Sequence, residues 1–251
     1  MKYKALLCDV DGTLVPNKEE GMPSQKVIQA IKKASEKISV GVATARSYWQ
    51  IAHILDVLPL SGPCIITGGA QIIDPTTRKT FVEHTITIED VKKVASIGSS
   101  LGITFTVANR EGEYPFSMSS IPDSPLDLYT QAISVNQADA FIQLISHIST
   151  VSMHKALAWG NSNMVHVTIA HPEASKNDGV VEVAKLLGIS TEEVIGVGEG
   201  YNDFPFLMAC GLRVAMGNAV EDVKAIADYT VATVEEDGVV ELIDRFILQE
   251  K

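Results

Sequence analysis

The chain is poor in cysteine, aromatic residues and positive charge, and it contains no long apolar run. Three cysteines in 251 residues, Cys8, Cys64 and Cys210, are odd in number and widely scattered, which excludes a disulfide framework. Each lies beside an apolar stretch, so reduced core thiols and a cytoplasmic location are expected. No segment approaches the roughly 20 apolar residues of a membrane span. The apolar run that begins at Ala5 is cut by Asp9, too soon for the core of a secretory signal. A net charge of -11 argues against nucleic acid or an anionic membrane as the main partner. It leaves room for a small anionic ligand, which local lysines and backbone amides can hold. There is no internal repeat, low-complexity tract or charge block.

Other absences narrow the chemistry. His53, His84, His147, His154, His166 and His171 show no metal-ligand spacing, so a zinc site is not expected. No glycine-rich loop ends in Gly-Lys-Ser/Thr, which removes the P-loop. Gly196, Gly198 and Gly200 lack the glycine of a dinucleotide fingerprint at the sixth position, where Tyr201 stands. Trp49 and Trp159 are expected to be packing residues.

What remains is an ordinary globular composition, 46% hydrophobic and 20% charged, long enough for one large α/β domain or for a core with an insert. Leu6-Leu7-Cys8-Asp9-Val10-Asp11-Gly12-Thr13-Leu14 reads as a buried strand that emerges into a polar site. Ser24 caps a helix to Lys37, with Val27, Ile31, Ala34 and Ile38 on one face. Ser39 to Thr44 is a second strand. Ser47 caps a helix closed by Pro59, Cys64 to Thr67 is a third strand, and Gln71 to Val82 is a hairpin. The middle of the chain changes style. A helix runs from Thr87 to Leu101, and strands are expected at Thr104–Ala108 and Tyr129–Val135. Asn136 caps a second helix. An antiparallel pair at Val151–Trp159 and Met164–Ala170 turns across Gly160-Asn161-Ser162-Asn163. The alternating pattern then resumes with a helix from Ser175 to Leu187, a strand at Val194–Gly198, and short strands at Leu212–Ala215 and Tyr229–Val231. The expectation is a doubly wound parallel-sheet core made of residues 1–82 and 172–251, with an inserted α+β domain at 83–171.

In such a sheet, ligands sit beyond the carboxyl ends of the strands. Asp9, Asp11, Thr44, Lys176, Glu199 and Asp203 all fall at such ends or at an adjoining helix start. Asp9 and Asp11, one residue apart on a strand, would face the same way, and their repulsion needs an offset. A divalent cation, a bound lysine or a shared proton would supply it. Carboxylates, a hydroxyl and a fixed cation together suit phosphoryl transfer, and oxygen donors suit Mg²⁺.

Asp9-Val10-Asp11-Gly12-Thr13-Leu14 resembles the first motif of the haloacid dehalogenase (HAD) superfamily. Thr44-Ala45-Arg46, Ser175-Lys176 and Gly198-Glu199-Gly200-Tyr201-Asn202-Asp203 resemble the second, third and fourth in order. Met216-Gly217-Asn218-Ala219, Ala227-Asp228-Tyr229 and Glu236-Asp237-Gly238-Val239 are similar to the C-terminal signature of its Cof-type branch. The resemblance implies a Mg²⁺-dependent phosphomonoester hydrolase acting on a sugar phosphate or similar small phosphorylated metabolite. Asp9 would be the nucleophile and Asp11 the general acid/base, with its carbonyl also on the metal. Thr44, Ala45, Lys176 and Asn202 would hold the phosphoryl group. Asp9, Asp11, Glu199 and Asp203 would hold the metal, and the insert would be a cap that selects substrate. Arg46 has two roles open to it, contact with substrate or a pair with an acidic neighbour. Asn218 is expected in a turn.

The chain departs from the family pattern in having Glu199 where Asp is usual. Its extra methylene is expected to be absorbed by a small backbone adjustment at Gly198 and Gly200. Ala45, Asn177 and Thr67-Gly68-Gly69 are lesser departures that bear on substrate contacts. Two rival readings are a phosphotransferase or mutase using the same aspartyl phosphate, and a phospho-ligand binding protein with little turnover. The residues do not set the oligomeric state.

Overall fold

The computed structural model describes residues 2–16, 21–158 and 161–249. Trp159 and Gly160, and with Gly160 part of the expected turn, lie outside them. The chain forms two compact units, Met1–Val82 with Ser175–Lys251, and Glu83–Ala174.

The first unit is built on a five-stranded sheet of β1 (Ala5–Cys8), β2 (Ser39–Val42), β12 (Val194–Gly198), β13 (Leu212–Ala215) and β14 (Tyr229–Thr230). Their order is β14-β13-β12-β1-β2 and every pairing is parallel. The inner strand β1, between β12 and β2, is buried throughout, because both faces of the sheet are covered. On one side α1 (Gln25–Ser35), α2 (Tyr48–Leu55) and α8 (Gly238–Ile243) pack Ile31, Ile51, Ile54 and Leu242 against Leu6, Val40 and Val197. On the other side α5 (Lys176–Leu187), α6 (Phe204–Ala209) and α7 (Glu221–Ile226) pack Val180, Phe206, Leu207 and Val223 against Ala5, Leu7 and Ala215. Each large side chain buried this way contributes about 1.5 to 3 kcal/mol.

The helix starts follow the sequence closely. Ser24 Oγ accepts from the Val27 N–H, Ser47 Oγ from Gln50, and Ser175 Oγ from Asp178. Asp9 and Asp11 lie just past the end of β1 instead of on it. The Asp9 N–H still donates to Val197 O at 2.9 Å, but the chain then turns, with the Thr13, Leu14 and Val15 N–H groups all donating to Val10 O. The expected third parallel strand is also modified. β3 (Cys64–Ile66) forms its own three-stranded sheet with β4 (Gln71–Ile73) and β5 (Thr80–Glu83), and meets the main sheet through one bridge between Ala43 and Ile65. Ser61 and Gly62 have already taken Val40 O, and Pro63 has no N–H to continue the ladder.

The second unit has six strands, β6 (Phe105–Asn109), β7 (Gly112–Pro115), β8 (Asp127–Thr130), β9 (Ile133–Ser134), β10 (Ser152–Ala158) and β11 (Asn161–Ala170). They pair in the order β10-β11-β8-β6-β7, with β9 also on β11. Helices α3 (Ile88–Ser100) and α4 (Val135–Ile145) cover one face through Val91, Val94, Phe141 and Ile145 against Phe105, Val107, Leu128 and Val167. β7 replaces part of the expected proline-rich loop. Asn109 Oδ1 accepts from Glu111 and Gly112 N–H and turns the chain back on β6. The helix expected from Asn136 starts two residues earlier, because Ser134 Oγ accepts from the Gln137 N–H and ends the strand there. No helix among the described residues is long and apolar enough to cross a membrane.

Candidate active site

The site forms where β1, β2 and β12 end and α5 begins. Lys176 is the first residue of α5, and its buried ammonium donates to Asp9 Oδ1 and to Asp203 Oδ1, each at 2.7 Å. Asp9 is 5% exposed, Asp203 0% and Lys176 6%, so this is a buried ionic triad. A lysine thus offsets Asp9, whereas Asp11 is offset by a different cation, described below. Burial works against the Lys176 charge, but Asp203 and Asp9 outweigh it and hold its pKa above the ordinary lysine range. Asp9 is pushed well above the usual carboxylate value by burial and by the Asp203 charge, with Lys176 acting in the other direction.

The surrounding backbone fixes this arrangement. Asp203 Oδ2 accepts from the N–H groups of Glu199 and Gly200, both at 3.0 Å, so the loop after β12 is wrapped around its own carboxylate. Gly69 lies against the start of α5. A Cβ there would stand 2.3 Å from Ser175 O, and φ is +110°, a region that favours glycine. The Gly68-Gly69 pair is therefore the local signal that the loop after β3 packs on the residue preceding Lys176.

Glu199 is half-buried, and its carboxyl is pushed up to about 7 by burial, then by Asp203, against the pull of Lys176. Its longer side chain is accommodated at Gly12, where φ is +73° and a Cβ would stand 3.0 Å from Glu199 Cγ. Carboxylate oxygens of Asp9, Glu199 and Asp203 lie within 4.8 Å of one another. Such a donor set, three carboxyl groups gathered around the single ammonium of Lys176, fits a hard cation.

The side chain of Asp11 is turned to Arg46. Arg46 Nε donates to Asp11 Oδ2 at 2.9 Å and Nη2 to Oδ1 at 2.5 Å, a two-pronged pair whose arginine is only 5% exposed. Of the two roles open to Arg46, the structure shows the acidic partner. Thr44 is buried and its Oγ1 accepts from the Arg46 N–H at 3.1 Å, which ties the loop after β2 together. Ala45 and Asn202 are exposed. The ammonium of Lys176 is held by the two aspartates and not by Asn202.

Asn218 has a structural part that turn statistics did not show. Its Nδ2 donates to Gly12 O and its Oδ1 accepts from the Val234 N–H, both at 2.9 Å, so it clips the first acidic loop to the C-terminal segment. Trp49 is 49% exposed and meets Tyr48 edge-on, contrary to the packing role expected for it. The buried face of α2 is taken by Ile51, Ile54 and Leu55, and Trp49 lies off it. All three cysteines are free and buried, as expected.

The sequence profile of the haloacid dehalogenase-like hydrolases matches residues 6–121 and 119–243. The chain belongs to this family, in the Cof-type branch that its motifs resemble. It is 26% identical over 251 residues to the 5-amino-6-(5-phospho-D-ribitylamino)uracil phosphatase YcsE of Bacillus subtilis, covering 98% of this chain and 96% of that one. It is 24% identical over 247 residues to phosphoglycolate phosphatase 1 of Saccharolobus solfataricus, covering 97% and 96%. Among solved structures, a haloacid dehalogenase-like hydrolase from Bacteroides thetaiotaomicron superposes with a TM-score of 0.84 at 20% identity, covering 98% of this chain and all of that one. A subclass IIB sugar phosphatase of the same superfamily superposes with a TM-score of 0.78 at 22% identity, covering 97% and 98%. These likenesses establish the fold.

Proposed function

We propose that the protein is a Mg²⁺-dependent phosphomonoester hydrolase that acts on a sugar phosphate or similar small phosphorylated metabolite through an aspartyl phosphate on Asp9. The observation that carries this reading is the buried Lys176 ammonium joined at 2.7 Å to both Asp9 and Asp203, beside the Glu199 carboxylate. Lys176 occupies Asp9 Oδ1, which leaves Oδ2 to attack phosphorus. The same ammonium is placed to neutralise charge on the transferring group, the main demand of phosphoryl transfer. Asp9, Glu199 and Asp203, with the carbonyl of Asp11, would hold Mg²⁺. When bound, the ion supplies positive charge to the carboxylates and to the phosphoryl oxygens.

Asp11 would give a proton to the leaving oxygen and then take one from water. Both of its oxygens are engaged by Arg46, so proton transfer requires that fork to open on the substrate side. Thr44 Oγ1 and the amide of Asn202 are the further groups proposed for the phosphoryl oxygens, and the backbone at Ala45 lies in the same loop as Thr44. The unit at Glu83–Ala174 is proposed as the cap that selects substrate. The phosphatase names of the relatives point the same way, and two of the names, a phosphoribityl compound and phosphoglycolate, set the size range to try first.

The test is phosphate release from a panel of sugar phosphates, phosphoglycolate and 5-amino-6-(5-phospho-D-ribitylamino)uracil, with Mg²⁺ and with chelator. Release that requires Mg²⁺ is the expected result. Isomerised substrate with no free phosphate would instead identify a mutase.

A further inference from the structure

The fold brings one potential metal ligand at the entry to the second unit together with two near its end. His84 lies one residue past the start of that unit, and His171 and Glu173 lie just before its end. Ligating atoms of His84, His171 and Glu173 all lie within 4.8 Å of one another. The two imidazoles are stacked, 5.3 Å between centroids and 14° between planes, and His84 Nδ1 stands 3.6 Å from Glu173 Oε2. His84 and His171 are partly buried, while Glu173 reaches solvent.

The short turn that carries two of the three is well anchored. His171 O accepts from the Ala174 N–H at 2.9 Å and from Ser152 Oγ at 3.0 Å. The exposed ring of His154 is hydrogen-bonded to the Ala174 backbone. The backbone under His171 and Glu173 is therefore pinned to β10, and the side chains are what can rearrange.

We propose that His84, His171 and Glu173 form a second metal site, selective for a borderline divalent cation of the Zn²⁺ type and separate from the carboxylate cluster. Two imidazoles and one carboxylate suit such ions, whereas Mg²⁺ strongly prefers an all-oxygen shell. Three protein ligands leave a fourth position for water. In the stacked arrangement the ring lone pairs do not converge. Loading turns one imidazole about Cβ–Cγ, a broad and soft torsion, and gives up the bond from the Glu173 N–H to His171 Nδ1, 3.1 Å long at an exposed turn. A bound ion would join the incoming and outgoing segments of the second unit, which backbone pairing alone does not bring to one point. Spacing in the sequence could not show this, because 86 residues lie between His84 and His171 and must fold before the two meet.

The test is equilibrium dialysis of the full chain against Zn²⁺, with Mg²⁺ in large excess to occupy the carboxylate cluster. The natural chain and Asp9→Asn should each retain one equivalent of Zn²⁺. His84→Ala and His171→Ala should weaken retention at least about tenfold, as loss of a direct ligand should cost no less than loss of an outer-shell partner. Glu173→Gln changes only an exposed side chain, so it keeps the question open to decision if a histidine variant fails to fold. It should also weaken Zn²⁺ binding, and unchanged affinity in that variant would contradict the three-ligand site. Absence of retained Zn²⁺ in the natural chain would overturn the proposal and leave a His84 and Glu173 ion pair in its place. So would retention that is lost in Asp9→Asn but kept in the histidine variants. Either failure is read from Zn²⁺ retention alone and is distinguishable from failure of the phosphatase reading, whose proposed reacting groups lie in the other unit.

Discussion

Lys176→Met removes the cation of the buried triad while keeping most of the unbranched side chain. In the structure the ammonium makes two hydrogen bonds of 2.7 Å, and both acceptors are buried, Asp9 at 5% and Asp203 at 0% exposure. The variant leaves two adjoining carboxylates away from water with no partner charge, and Glu199 beside them. Removing one member of a buried ion pair typically costs about 3 to 5 kcal/mol. For a chain of this length each kcal/mol lowers the melting temperature by about 2 to 4 °C, so a drop on the order of 10 °C is expected in chelator. Urea denaturation read by circular dichroism should show a lower midpoint with an unchanged slope. The double variant with Asp203→Asn should lose clearly less than the sum of the two single losses, since both act on one contact. A Lys176→Met protein that melts with the natural chain, or losses that simply add, would refute the buried triad.

Three other perturbations probe its supports. Gly69→Ala puts a Cβ 2.3 Å from Ser175 O at a φ of +110°, so it should destabilise by about 1 to 3 kcal/mol and reduce phosphate release by displacing Lys176, both measurable on one preparation. Glu199→Gln keeps the contact over Gly12 and removes one charge from the acidic cluster, so the Mg²⁺ concentration for half-maximal phosphate release should rise at least about tenfold with little change in melting temperature. Asp127 belongs to the second unit. It is buried, its Oδ1 has no hydrogen-bond partner among the described residues, and burial followed by the Glu113 charge pushes its carboxyl up to about 8. A folded pKa raised above the unfolded value means that the folded state binds the extra proton. The associated stability is present at acid pH and falls as pH rises from about 4 to about 8. Asp127→Asn should therefore melt higher than the natural chain at pH 8.5 and show a smaller difference between pH 5.5 and pH 8.5, by calorimetry.

Much of this was legible in the sequence because the local rules agreed with one another. Ser24, Ser47 and Ser175 cap the helices where a hydroxyl precedes an apolar repeat, and β12 and β13 span the residues expected for them. Asp9, Lys176 and Asp203 meet because Asp9 follows the end of β1, Asp203 lies in the loop after β12 and Lys176 opens α5, all at the carboxyl edge of a parallel sheet. What stayed hidden depends on contacts between distant segments. The diversion of β3 into a separate sheet follows from which N–H reaches Val40 O, and β7 follows from the Asn109 turn within a stretch whose prolines read as loop. The partner of Arg46 was undecided because either a substrate or a carboxylate satisfies a guanidinium, and only the approach of the two loops selects Asp11. The same limit hid the meeting of His84 with His171, whose rings come within stacking distance through the closure of a whole unit.

The central claim is that Asp9 carries the phosphoryl group. The most direct measurement is acid quenching during turnover with Mg²⁺ and the best substrate of the panel, followed by mass mapping of the phosphorylated peptide. The account predicts a phosphoryl group on Asp9 during turnover, none after substrate is exhausted, and neither adduct nor phosphate release in Asp9→Asn. Normal phosphate release from Asp9→Asn, or an adduct mapped to another residue, would contradict it.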